Sequence, residues 1–312
     1  MTVKPAAVWR RVKPRHHLRR ELPLHLMLLP GVILYLVFCY VPMGGLVIAF
    51  QRFVPAKGMF GPQQWVGLDN FSYIFSMPNT ANVIRNTLVI AVWKIVLNLV
   101  VPIIVSLMLN EVSHKRFKST VQTIIYFPYF ISWIVFAAIM TDILSPSDGI
   151  LNMLIKLLGG QPVYFLGSNE TFQQTIIWTD VWKGFGYGTV VYLAAMTGID
   201  PSLYEAATID GAGRFQQMLH VTLPGIRMVI TLMMVLSLGN VLNAGFDQIY
   251  NLYSPVVYET GDILDTMVYR LGLESAKYGP AAAVGMFKSL ISCLLVSVSY
   301  YVAIRFFDYR LF

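Results

Sequence analysis

Long apolar runs, and not amphipathic alternation, dominate this chain. Six are near the roughly 20 residues that a helix needs to cross a bilayer core. They are Leu24–Ile48, Thr87–Leu109, Val121–Leu144, Thr175–Thr197, Ile226–Ala244 and Ala281–Phe306. Pro30, Pro42, Pro102 and Pro128 fall inside them and are tolerable there as kinks. The pattern predicts an all-α polytopic membrane protein with six transmembrane helices. Composition agrees: 56% of residues are hydrophobic and only 12% charged, where soluble domains carry about 25% charged.

Charge placement orients the spans. Six spans put both termini on one side. The side holding the N-terminus carries 14 Lys and Arg and the other side 6, so the positive-inside rule predicts cytoplasmic termini. Residues 1–23 are read as a retained basic tail, because the run after them is too long for a signal peptide and lacks a small-residue cleavage site. The net charge of +7 thus reflects topology and implies no nucleic acid. Cys39 and Cys293 both sit in apolar runs, which argues against a disulfide framework. The adjacent His16 and His17 belong to the solvated tail, and no metal site is expected.

One polar stretch, Ile199–Ile226, stands apart. Asp200-Pro201 is a helix start, an acceptor cap followed by a residue with no N–H to orphan. Leu203, Ala206, Ala207 and Ile209 give a short helix with a small-residue face. Gly211-Ala212-Gly213 then breaks it. A second helix carries Phe215, Met218, Leu219 and Val221, and Pro224 is expected to end it near the membrane. The stretch reads as a helix-turn-helix with an acidic anchor, Glu205, and a turn acid, Asp210.

The spacing Glu205-Ala206-Ala207, Asp210-Gly211-Ala212 and Leu223-Pro224 resembles the EAA loop of ABC importer permeases. That resemblance implies a coupling helix docked into a cytoplasmic ATPase. The chain itself has no GxxxxGK[ST], HExxH or GxSxG, so it is expected to be no enzyme and to bind no cofactor, with ATP and Mg held by the ATPase. Asn110-Glu111-Val112, Tyr126-Phe127-Pro128, Tyr164-Phe165-Leu166-Gly167, Trp182-Lys183-Gly184 and Ala282-Ala283-Val284-Gly285 further resemble permeases for complex carbohydrates, the polysaccharide branch of the maltose permease group. This implies a bacterial cell-membrane protein whose residues 24–312 form the transmembrane domain, with 199–226 as coupling loop. Its implied partners are a second, homologous permease forming a heterodimer, two ATPase subunits, an extracytoplasmic solute-binding protein, membrane lipid and a saccharide, neutral or acidic.

Substrate contacts are sought among polar residues within spans, which usually face a cavity or the bundle interior. Asp180, Lys183 and Tyr187 share a face of the fourth span, beside Trp182. Asn240, Asn243 and Asp247 align similarly in the fifth. Lys94, Lys183 and Lys288 each lie about 10–12 Å below the outer boundary at ~1.5 Å per residue. They either snorkel to headgroups, with Asp180 paired to Lys183, or form a cationic vestibule for an anionic saccharide. Among the outer loops, Trp65–Phe71 reads as an interfacial helix and Ile150–Leu158 as amphipathic. Gly245–Pro280 is rich in Tyr, suited equally to a binding protein or a membrane belt. Two other functions compete with the permease reading. An ion-gradient-driven secondary transporter would need buried acids as relays, and only Asp180 fits. A scaffold or channel subunit would have no use for the coupling loop.

Overall fold

Backbone polar groups in lipid must be satisfied within their own segment, so the apolar runs take up helix. The computed structural model describes residues 18–59, 61–238 and 242–307, with 18–21, 299 and 302–307 by backbone alone. Most of the basic tail, His16, His17 and Asn240 lie outside these residues. Two units divide the chain, 1–47 and 48–312. In the first, α1 (Leu18–Tyr35) holds Pro30 within it and passes into a wider π turn at Leu36–Tyr40.

In the second unit, β1 (Gln51–Arg52) pairs antiparallel with β2 (Gln64–Trp65), and α2 follows at Asp69–Ser76. Trp65 therefore lies in a strand and not in an interfacial helix. Gly67, with φ +58°, turns the chain between the two elements. The helices that follow are α3 (Thr80–Asn110), α4 (Lys115–Tyr126), α5 (Trp133–Ile143), α6 (Ile150–Leu157) and α7 (Phe172–Met196). Next come α8 (Pro201–Ile209), α9 (Arg214–Gln217), α10 (Leu223–Gly225) and α11 (Arg227–Leu238). The last are α12 (Phe246–Leu252), α13 (Tyr258–Gly261), α14 (Leu264–Tyr269) and α15 (Tyr278–Phe307).

Among the described residues, three helical stretches are long and apolar enough to cross a membrane: Leu22–Phe50, Thr80–Asn110 and Tyr278–Val298. Two expected spans are instead bent. The third is α4 and α5, turned by 108° between Phe130 and Trp133. Pro128 ends the first half, and Ser132 restarts the helix by accepting a hydrogen bond from Val135 N at 3.4 Å. The fifth bends by 59° at Ile226, and its second half, α11, is only 12 residues long. α7 has the length of a span at 25 residues but carries Asp180 and Lys183.

The core runs along α3 and α7. Ile90, Phe136, Met140, Ile176 and Ile249 join these helices to α5 and α12. Val83, Leu264, Met267 and Val284 join α3 to α14 and α15. Leu109, Tyr192, Met196 and Ile226 close the end near the polar loop. Glycines of α7 allow the close approach. A Cβ on Gly186 would sit 2.1 Å from Ile125 O, and one on Gly188 would sit 2.8 Å from the Pro102 ring.

Candidate coupling loop and translocation wall

The polar loop is held in shape by its own side chains. Asp200 Oδ1 accepts from Ser202 N at 2.9 Å and caps α8. That backbone bond holds the Asp200 carboxyl below its ordinary range, so the cap is complete above the usual aspartate range and is lost only as pH falls through the lowered value. Gly211 turns the chain with φ +80°. Gln217 ties the two arms together, donating to Thr208 Oγ1 at 3.0 Å and Ala212 O at 3.1 Å. Tyr204 Oη meets Thr222 Oγ1 at 2.9 Å. Pro224 lies one residue before the end of the second arm at Gly225. A π turn at Met218–Thr222 precedes the proline and absorbs its missing N–H.

The outward side of the loop is unsatisfied. Glu205 is exposed and has no partner in the described chain. Leu203, Ile209 and Phe215 are 53%, 86% and 67% exposed. Ala206, Asp210 and Pro224 are exposed beside them, and Ala207, Ala212 and Leu223 are half-buried. A charge and three apolar side chains on a short, internally braced loop form a docking surface. Arg214 links it to the end of α3 through Glu111 at 4.0 Å.

The three intramembrane lysines are all engaged. Lys94 pairs with Asp180 at 3.2 Å, donates to Ala244 O at 2.7 Å and bonds Gln248 Oε1. Asn98 donates to the other oxygen of Asp180 at 2.9 Å. The expected Asp180–Lys183 pair is thus replaced by one across helices. Lys183 turns instead to the break between α4 and α5, donating to Tyr129 O at 3.0 Å and to Pro128 O at 3.4 Å, the latter also accepting from Ile131 N at 3.3 Å. The Trp133 ring lies 5.1 Å from its Nζ. Lys288 pairs with Asp265 at 2.5 Å. Neither snorkelling nor an open ring of cations describes them.

Of the other expected contacts, Tyr187 stacks on Tyr129 at 4.8 Å and Trp182 packs on Phe136 at 5.3 Å, each keeping about half its surface exposed. Asn243 and Asp247 do not share a spanning helix. Asn243 lies in a non-helical turn before Gly245, and Asp247 lies in α12. Both are exposed.

The Tyr-rich stretch 245–280 is a folded lobe, which periodicity could not reveal. Arg270 clamps Asp262 through two bonds of 2.8 and 2.6 Å and covers the Tyr258 ring at 4.5 Å. Asn86 of α3 donates to Glu259 O and Asp262 O, and Gln173 of α7 donates to Thr260 O. Gln248 is fully buried and donates to Ile176 O and Thr179 Oγ1, both at 2.8 Å. These amides carry no local sequence signal, because their partners are some 70 residues or more away.

Bent spans around a polar α3–α7 seam, with a braced polar loop between α7 and α11, define a multi-pass membrane transport subunit. Residues 102–311 match the binding-protein-dependent transport system inner membrane component family, and the chain belongs to it. The polygalacturonan/rhamnogalacturonan transport system permease protein YteP of Bacillus subtilis (strain 168) is 41% identical, over 91% of this chain and 88% of its own. Protein LplB of the same organism is 38% identical, over 95% and 92%. A crystal structure of a bacterial ABC transporter involved in the import of the acidic polysaccharide alginate contains a chain 38% identical to this one. It superposes with TM-score 0.85 over 93% of this chain and 97% of that one. A second alginate transporter structure, in complex with alginate pentasaccharide-bound periplasmic protein, gives 0.84. The protein is an ABC importer permease.

Proposed function

We propose that this chain forms half of the translocation path for an oligosaccharide derived from an acidic polysaccharide. A second, homologous permease supplies the other half. A solute-binding protein delivers the sugar from outside, and two cytoplasmic ATPases, which hold ATP and Mg, drive the cycle. Relatives named for rhamnogalacturonan and alginate support the substrate class. In this reading residues 24–312 are the transmembrane domain. The two bent pairs are its third and fifth spans, α7 is its fourth, and both termini are cytoplasmic. Tyr187, Trp182 and Asn243 face the path, while Lys94, Asp180, Lys183 and Lys288 hold its wall in shape.

The observation that carries the reading is the outward face of residues 201–215. Glu205 has no partner within the described chain, and exposed apolar side chains surround it. An ATPase groove would satisfy both. In the assembled complex, Glu205→Ala is expected to reduce sugar-stimulated ATP hydrolysis and uptake at least tenfold, on the order of one buried charge-assisted bond. Gly211→Val forces a β-branched residue to a φ of +80° and adds backbone strain to lost docking, so it should lose more. Full ATP-driven uptake by both variants would remove the coupling role.

The chain alone, in liposomes, is expected neither to hydrolyse ATP nor to move sugar. Uptake driven by an imposed ion gradient in that preparation would support a secondary transporter in its place.

A further inference from the structure

The face of α12 that turns away from the core has a composition that lipid does not tolerate. Gln248, Ile249 and Leu252 form its buried side. Asp247 and Asn251 are exposed one turn apart on the other side, and Asp247 has no side-chain partner among the described residues. Depth follows from the contacts. Lys94, midway along α3, bonds Ala244 O just before α12. Asn86, near the start of α3, bonds Asp262 O beyond it. The segment between them therefore rises through about 12 Å at ~1.5 Å per residue of α3. Under the topology proposed above it lies within the outer half of the membrane. An unpaired carboxylate there costs roughly 2.5–3.5 kcal/mol against lipid, and non-helical backbone at such depth must be buried or line water. This face therefore calls for water or a polar ligand and not for lipid.

Beside these polar groups is a continuous aromatic surface. Phe246 and Tyr250 stack at 5.3 Å and 19°. Tyr269 of α14 closes on both, at 5.5 Å and 4.7 Å, and Tyr250 Oη donates to Tyr269 Oη at 3.3 Å. All three rings remain partly exposed. An electron-rich aromatic face takes the C–H face of a pyranose, while a carboxylate and an amide at its edge take hydroxyls.

We propose that Phe246, Tyr250 and Tyr269, flanked by Asp247 and Asn251, form a saccharide subsite that stacks a pyranose ring of the passing oligomer. It rests on the saccharide reading above and adds that this chain itself contacts the sugar on its outer lobe. Asp247 faces ring hydroxyls, so any uronate carboxylate of the bound unit points away from α12.

The test is uptake by the complete importer, with its binding protein, of labelled short oligomers of galacturonate, of alginate and of glucose. Tyr250→Leu with Tyr269→Leu keeps apolar bulk but removes the π faces. It should lower the maximal rate about tenfold, the loss expected for two stacking faces, and leave the half-saturating concentration, set by the binding protein, in place. Tyr250→Phe with Tyr269→Phe should restore the rate to within about twofold of wild type. Asp247→Ala with Asn251→Ala, both on the exposed face, should also lose about tenfold without disturbing the aromatic packing. Full rates in the Leu pair, equal losses in the Leu and Phe pairs, or full rates in the Asp247/Asn251 pair would overturn the subsite. A wild-type complex that imports none of the three oligomers would overturn the saccharide reading itself, and the subsite with it.

Discussion

Lys94→Met is expected to destabilise the permease by about 3–5 kcal/mol, the usual cost of removing one member of a buried ion pair. Lys94 is 6% exposed, and its ammonium answers three acceptors at once: the Asp180 carboxylate, Ala244 O and Gln248 Oε1. Methionine fills the volume but leaves a carboxylate uncompensated between α3 and α7. Adding Asp180→Asn removes that charge and preserves an acceptor for Asn98, so the double variant should recover part of the loss. Ala244 O and Gln248 Oε1 still lack their donor, at roughly 1–3 kcal/mol each, which keeps recovery partial. Thermal unfolding of the purified complex measures both. A single variant as stable as wild type, or a double variant no better than the single, would refute the assignment. This outcome also separates the structure from the expectation of a bare cation attracting acidic sugar: Lys94 is a strut, and its loss should reach expression before it reaches selectivity.

That expectation went astray for a physical reason. Asp180 and Lys183 are one helical turn apart and invite pairing on sequence alone. The carboxylate instead meets a lysine 86 residues earlier, because α3 packs on α7 at Gly184 and Gly188. Lys183 then turns to the Pro128 and Tyr129 carbonyls at the break between α4 and α5. Apolar length made the membrane helices legible, and cap and turn made the α8 helix and the Gly211 turn of the polar loop legible. The breaks were harder. Pro102 lies inside the continuous α3 and Pro30 inside α1, so proline alone predicts nothing. At Pro128 the difference is Ser132, which caps a new helix four residues on. A Pro followed by a Ser cap was the available signal. The Tyr-rich lobe had none, since Asp262–Arg270 and the bonds of Asn86 and Gln248 depend on chain segments brought together only by folding.

The glycines of α7 are expected to sort by what their missing Cβ would strike. Alanine in place of glycine within a helix gains about 0.5–1 kcal/mol from propensity and chain entropy. At Gly184 the new methyl meets only Asn98 Oδ1 at 3.0 Å, an amide that moves by a few tenths of an ångström. Gain and cost should nearly cancel there. At Gly188 it meets two atoms of the Pro102 ring at 2.8 Å, which cannot rotate aside. At Gly186 it meets backbone, Ile125 O at 2.1 Å and Ile125 C at 2.8 Å, and only a shift of α4 away from α7 relieves the clash. Overpacking of this kind costs about 1–3 kcal/mol and sometimes more, so the clash outweighs the gain at Gly188 and dominates at Gly186. Displacing α4 also withdraws the Tyr129 and Pro128 carbonyls from Lys183, leaving a buried cation without acceptors. Gly186→Ala should therefore lower the melting temperature of the complex most, Gly188→Ala less and Gly184→Ala hardly at all. An order in which Gly184→Ala is the worst of the three would mean that α4 and α7 do not meet backbone to backbone at Gly186.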